Sequence, residues 1–424
     1  MIEMKHMSEE ERTLITISCE PFFLHYKKNN LVKDVFEELS KYVDCKSSKE
    51  VWTVVTALCQ SYAKGMNGSL FPLNKNSYIK DNKTNPQGIS YRKCIRVLNS
   101  LEENGYIEVY KGFYDHFKSV SVLSCIRPTS KLDSLFEGKV LKHTITQISD
   151  YLLVELRDSK SGELVTSTEK LRGIQGKRSL VKNMNKVLSS YDIRCKSIPV
   201  SASYKKVFTD SFELHGRWYS FGGLQTSRSY LRKYITINGV KTTEVDFKQM
   251  HPRLLMCLEG TYEGMDYDPY GDLSEILKCD KDTARKFSKL ALMCLINAES
   301  LSKAKSAIFK KYKDDVSSGG DSTFRNIKME KGTVNKVVDR LCELNKSISH
   351  YFGTPKLWAK LQYLDSQIAS YIIERFVTLG KCILPWHDSF VVSVHDRDLL
   401  IDTMREGWEF VMGTRKNCFY DIEF

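Results

Sequence analysis

Two aspartates, Asp246 and Asp388, stand where short β-prone runs end: the first closes KTTEVD, and the second follows KCILPWH and precedes SFVVSV. A strand end holds a carboxylate at a defined height above a sheet. Two carboxylates delivered this way form an oxygen donor set suited to hard divalent cations, which favour carboxylate and phosphate ligands. A pair of such cations serves in-line phosphoryl transfer, one beside the attacking hydroxyl and the other beside the leaving pyrophosphate. Between the aspartates in sequence, residues 280–298 (DKDTARKFSKLALMCLINA) place Arg285 and Lys289 four apart, on one face of a helix. Two cations one turn apart match the β- and γ-phosphates of a nucleotide, and Lys289 is also suited to give a proton to the leaving group. Each segment alone has a plainer reading, because strand-end aspartates form turns and Arg/Lys pairs line solvated helix faces.

The elements that must position these groups are legible nearby. A helix begins near Pro252, which is tolerated in a first turn, and stops before Gly260. The apolar runs flanking His387 and Asp388 form a β-hairpin with the aspartate at its tip. Upstream, residues 89–126 read as helix, strand, basic turn and strand, the order of a winged-helix module: Ile95, Leu98 and Leu101 have helical spacing, and residues 106–110 and 119–123 alternate about Gly112. Tyr91, Arg92, Lys93 and Arg96 then lie on the exposed side of a recognition helix, and Lys111 and Lys118 in the wing, where phosphates would be met. Lys170, Arg172, Lys177, Arg178, Lys182 and Lys186 suggest helices with a solvated cationic face, and residues 317–322 read as a loop.

Taken in order, these segments resemble the family A nucleic-acid polymerases, both the DNA enzymes of bacterial repair and phage replication and the single-subunit phage-type RNA polymerases. DFKQMHPR from Asp246 is similar to the first palm motif, DYSQIELR, matching its Asp, Gln and Arg. HDSF from His387 resembles the third motif, HDE in the DNA enzymes and HDSF in the RNA enzymes. RKFSKLALMCLINA resembles the fingers helix RxxxKxxxFGxxYG with Arg285 and Lys289 in register. GRWYSFGGLQ from Gly216, DPYGDLSEIL from Asp268 and LQYLDSQIASYIIERF from Leu361 resemble the segments before the first motif, leading into the fingers, and before the third motif.

The resemblance spans residues 214–424 and implies metal ligation by Asp246 and Asp388, with catalysis by these two and Lys289. It implies nucleotide contacts from Arg285, Lys289, His251, Gln249 and Asn297, and nucleic-acid contacts from Arg217, Gln225, Gln362 and His387. Among the departures from the pattern, which include Tyr270 where histidine is usual, three bear on the nucleotide. Met293 and Asn297 replace the aromatic pair that stacks on the nascent base pair, and His251 stands where the DNA enzymes carry the glutamate that crowds the sugar 2′ position. A histidine is bulky enough to obstruct a 2′-hydroxyl and is also able to hydrogen-bond to it.

Length and composition agree with this organisation. The chain has 424 residues, 42% hydrophobic and 27% charged, enough to bury a large core, and its net charge of +12 attracts polyanions. Cysteines are scattered without a CxxC pair, and neither a membrane-length apolar stretch nor a secretory h-region is present. The expectation is an α+β chain with a right-hand palm, fingers and thumb. Its parts are a winged-helix-like nucleic-acid-binding domain over 1–135, a helical thumb-like connector over 136–210, and a palm over 211–424 with a fingers insertion at about 266–345. The expected activity is that of a compact exonuclease-lacking DNA polymerase of a phage or mobile element, working in the cytoplasm of a bacterial host or phage-infected cell. Its cofactor would be two Mg²⁺ ions, with Mn²⁺ as a substitute. Its partners would be a template, a primer or nascent strand, and nucleoside triphosphates, without a membrane. RNA polymerase or primase activity is the alternative, and a catalytically weak replication initiator that binds DNA is the further one.

Overall fold

A computed structural model describes residues 1–424 apart from 23, 25, 27, 80–84, 116–119, 140–149, 166–172, 228 and 318–321. The expectations for Lys118, Lys170, Arg172 and residues 318–321 therefore lie outside the described residues. The chain is a mixed α/β protein with separate apolar cores. A large core takes Ile17 and residues from Leu153 to Trp408, and a smaller one gathers residues from Phe22 to Phe136.

In the smaller unit, the Ser48–Ala63 helix is buried along most of its length, and the Tyr91–Glu103 helix packs on it through Cys94, Val97, Leu98 and Leu101. That spacing leaves Arg92 and Arg96 exposed one turn apart. Gly105, at φ +72, ends the helix, and Ile107–Lys111 then pairs with Cys125–Pro128 in a five-stranded sheet. Between these two strands in sequence, Phe113–Asp115 and Val120–Val122 form a two-stranded ribbon.

Among its described residues, the segment expected to be a helical connector, 136–210, contains one long helix, Ile174–Leu188, but also strands that join both sheets of the larger unit. Val154–Arg157 runs parallel to Tyr204–Thr209, and Ile193–Cys195 pairs with Ile235–Ile237. The reason lies in strands of three to six residues, VELR, IRC and YKKVFT, too brief to show a period in the sequence. Arg178, expected on the solvated face of that helix, is buried, so the cationic stripe is interrupted.

The larger sheet has seven strands, with Val240–Phe247 near its middle. Ser389–Ser393 covers one edge of this strand. The other edge is divided between Ile235–Ile237 at its start and Tyr420–Glu423 at its end. Among the described residues, everything between Phe247 and Leu384 is helix or loop, so a helical body is inserted between two neighbouring strands of one sheet. The 22-residue helix Leu357–Thr378 closes the insertion and packs against Ser211–Ser220 of a separate three-stranded sheet.

Candidate active site

Asp246 lies opposite Ser389 on one neighbouring strand and opposite Asp421 on the other. Asp388 is the second residue of the two-residue loop between Leu384–Trp386 and Ser389–Ser393. Such tight hairpins need a positive φ in the loop, and His387 supplies it at +66°. The ladder continues one step past Ser389, because the Phe247 amide donates to the Asp388 carbonyl at 3.1 Å. Backbone pairing alone therefore brings the two aspartates side by side. Burial pushes the Asp246 carboxyl up to about 8, helped by the negative charges of Asp388, Glu244 and Glu423, while Lys289 opposes the shift. Burial raises Asp388 as well. Two carboxylates driven toward protonation by burial and, at Asp246, by the other's charge form a donor set that a cation would relieve.

The Lys281–Asn297 helix faces them. It starts at Asp280, whose side chain accepts from the Thr283 amide at 2.8 Å. Its buried side carries Ala284, Phe287, Ser288, Ala291 and Leu295. The opposite stripe, at steps of four, is Arg285, Lys289, Met293 and Asn297, all exposed. Arg285 is held by Asp268 at 2.6 Å and lies over the Tyr270 ring.

A third group approaches from the other sheet. In the Ser211–Ser220 strand, Gly216 bulges out at φ +74, with Phe208 and the Ser366 hydroxyl so close that a Cβ would meet them at 2.7 and 2.9 Å. The bulge seats the strand against the Leu357–Thr378 helix and sends Arg217 to that helix's Asp365, whose two oxygens accept from its Nε at 3.0 and 3.2 Å. Arg217 Nη2 also donates to Asp365, and His251 Nε2 lies 3.0 Å from the same carboxylate. Asp365 is almost fully buried.

One cavity of about 440 Å³ is lined by Asp246, Asp388, Arg285, Lys289, Asn297, Gln249, His251, Arg217 and Gln362, together with Lys248, Tyr270 and Asp421. Nine residues singled out in the sequence thus converge. Among the described residues no group of three or more His, Cys, Asp or Glu side chains forms a cation cage. The residues fit a divalent cation through Asp246 and Asp388, with the remaining positions left to phosphate oxygens and water.

No protein-family model matches the chain, and no curated protein does. Among solved structures, it is similar to the POL domain of Pol1 from M. smegmatis in complex with DNA primer-template and dNTP. The identity is 12%, the TM-score 0.30, and the match covers 99% of this chain and 70% of that one.

Other expected residues fall elsewhere. Gln225 is outside the cavity lining, and its amide is occupied by the Ser220 amide and the Trp218 and Pro385 carbonyls. His387 packs edge-on to Tyr219, and burial followed by Arg217 lowers it to about 4, which leaves the ring neutral. Arg92, Lys93, Arg96 and Lys111 belong to the smaller unit, where Lys93 bonds the Lys46 carbonyl and Lys111 pairs with Glu3 at 2.9 Å. Gln249 serves the backbone too, adopting φ +55 ahead of the Met250–Glu259 helix and donating to the Tyr267 carbonyl.

Two carboxylates have no role assigned from the sequence: Asp421 is unnoticed there, and Asp365 is only one of three nearby acids with Glu244 and Asp396. Asp421 reaches the cavity only because Tyr420–Glu423 pairs with the strand of Asp246. Asp365 did leave a signal: it falls on the apolar face of its helix with Leu361, Ile368 and Ile372, where an unpaired charge would be costly. Among the described residues, no helix is long and apolar enough to cross a membrane.

Proposed function

We propose that the chain performs template-directed nucleotidyl transfer in the cavity between the Asp246/Asp388 pair and the Arg285/Lys289 stripe. The observation that carries this reading is the convergence itself: a paired-carboxylate site and a two-cation helix face, far apart in sequence, line one pocket. A 3′-hydroxyl oxygen forms a bond to the α-phosphorus of a nucleoside triphosphate, the bond from that phosphorus to the bridging oxygen breaks, and pyrophosphate leaves. The hydroxyl proton passes to solvent, and Lys289 gives a proton to the departing pyrophosphate. Divalent cations bound by Asp246 and Asp388 would supply charge stabilisation to the attacking and leaving oxygens. Arg285 must exchange Asp268 for phosphate oxygens, a change between two charge-assisted bonds. Gln362 and Arg217 also line this cavity and would meet the end of a primer or nascent strand.

The test is extension of a labelled primer, and of an unprimed template, with either triphosphate set. Wild type is expected to extend, and Asp388→Ala to lose all synthesis while still binding the template. An inert wild type that binds nucleic acid would overturn this reading and favour a replication initiator.

A further inference from the structure

We infer that the chain holds a second nucleic-acid site, a cavity beside the ribbon of Phe113–Asp115 and Val120–Val122 that takes unpaired bases of a single strand. Its volume is about 500 Å³, and its lining runs from the smaller unit to Phe221 of the larger one. The site lies apart from the transfer cavity and does not depend on the transfer reading. A chain that extends nothing would still hold a single strand here.

The argument starts with the rings. Phe22, Phe71, Phe113, Tyr114 and Phe221 all line the cavity. Phe22 and Phe71 are buried and stacked on each other, with centroids 5.3 Å apart and planes 11° from parallel. Phe113 and Phe221 are half-buried, and Tyr114 is 55% exposed. Successive side chains of a strand point to opposite faces, so Phe113 and Tyr114 give the ribbon one ring on each face. With Leu123 exposed as well, the fold leaves apolar surface open beside the cavity. An unpaired base, which has a π-face on either side, would cover it.

Charge favours a nucleic acid over a peptide. Among the described residues no Asp or Glu lines the cavity, and its charged lining residue is Lys111. Arg12 sits over the Phe113 ring, 5.4 Å from its centroid, and has no carboxylate partner among the described residues. Lys205 lies over the Phe221 ring at 5.4 Å. The carboxylates nearby are outnumbered: Glu3 serves Lys111 and Lys5 at 2.9 and 3.7 Å, and Glu155 serves Lys205 and Arg157 at 2.6 and 2.7 Å. Aromatic faces flanked by cations in excess match bases joined by phosphates. A proline-rich segment would fit the rings but would bring nothing to the cations. Position agrees with this occupant. Phe221 follows the Ser211–Ser220 strand that carries Arg217 into the transfer cavity, and the chain from Arg217 to Phe221 spans no more than about 14 Å. That is the length of about four stacked nucleotides, so one strand can border both cavities.

The test is fluorescence anisotropy of a labelled oligo(dT) and of a labelled blunt duplex, without triphosphate, on wild type, Tyr114→Ala, Tyr114→Phe, Phe221→Ala and Arg12→Gln. Tyr114→Ala and Phe221→Ala should each weaken oligo(dT) binding by about 5-fold or more, the loss of one stacked base, and leave the duplex unchanged. Tyr114→Phe, which keeps the ring, should bind as wild type does. Arg12→Gln should reduce the slope of log affinity against log salt by about 0.7 for the single strand. Tyr114 is exposed, so its variants should melt with wild type and carry the test even where Phe221→Ala unfolds. An oligo(dT) affinity unchanged in Tyr114→Ala, or a loss shared equally by the duplex, would overturn the inference. So would a labelled proline-rich peptide that binds wild type, fails to bind Tyr114→Ala and leaves oligo(dT) undisplaced. Primer extension separates the two readings. Ring-dependent oligo(dT) binding in a chain that extends nothing sinks the transfer reading alone, and extension with ring-independent binding sinks this one alone.

Discussion

Charge is what the site residues hold under tension. Asp246 is forced toward protonation by burial and by Asp388, so in the absence of a cation the carboxylate pair works against the fold at neutral pH. Asp246→Asn should raise Tm by a few °C in chelator, and should remove most of the further rise that Mg²⁺ gives wild type. Calorimetric melts with and without Mg²⁺ check both halves. A second strained charge lies behind the site. Lys206, buried against Phe208 and Trp218 with its Nζ on the Ser370 hydroxyl, is pushed down to about 7 by burial and by Lys177. An unfolded lysine keeps its proton to a pH of about 10.4, so between the two values the unfolded chain binds more protons and stability rises with pH. Below the folded value the cost is complete. Lys206→Met should therefore stabilise most at pH 6, by a few °C, with the gain shrinking as pH rises through 7 toward 10.

At the scale of elements, the site depends on two backbone devices. The Gly216 bulge lets the Ser211–Ser220 strand settle on the Leu357–Thr378 helix and delivers Arg217 to Asp365. Gly216→Ala places a side chain at φ +74 against Phe208 and Ser366, and should cost on the order of 1–3 kcal/mol in denaturant unfolding. It should also loosen the cavity wall, since Arg217 and His251 share the same carboxylate. The tight His387–Asp388 loop is the other device, and here the sequence was explicit: two apolar runs separated by a polar pair announce a hairpin. The bulge was not announced, because a GR dipeptide shows neither its partner strand nor the helix it rests on.

For the whole molecule, the excess of +12 becomes a matter of address. Arg92 and Arg96 are exposed one turn apart on the Tyr91–Glu103 helix, whereas Lys93 and Lys111 are already engaged by the Lys46 carbonyl and Glu3. Arg92→Glu with Arg96→Glu should flatten the salt dependence of template affinity by about two phosphate contacts, and more than Lys310→Glu with Lys313→Glu in the Leu301–Ser317 helix. Fluorescence anisotropy across a salt series measures both slopes.

The sequence by itself determined what local chemistry can state: the helix with its Arg285/Lys289 stripe, the hairpin tip bearing Asp388, and the strand ending at Asp246. These follow from periodicity, caps and turns, which act over a few residues. Pairing and burial between distant segments were left to the tertiary structure. It set Asp421 beside Asp246, buried Arg178, turned Gln225 to the backbone, and bound His251 to Asp365 across more than a hundred positions. A residue's type limits which bonds it can make, but which nitrogen of His251 is left for a ligand depends on the carboxylate that the fold brings to the other one.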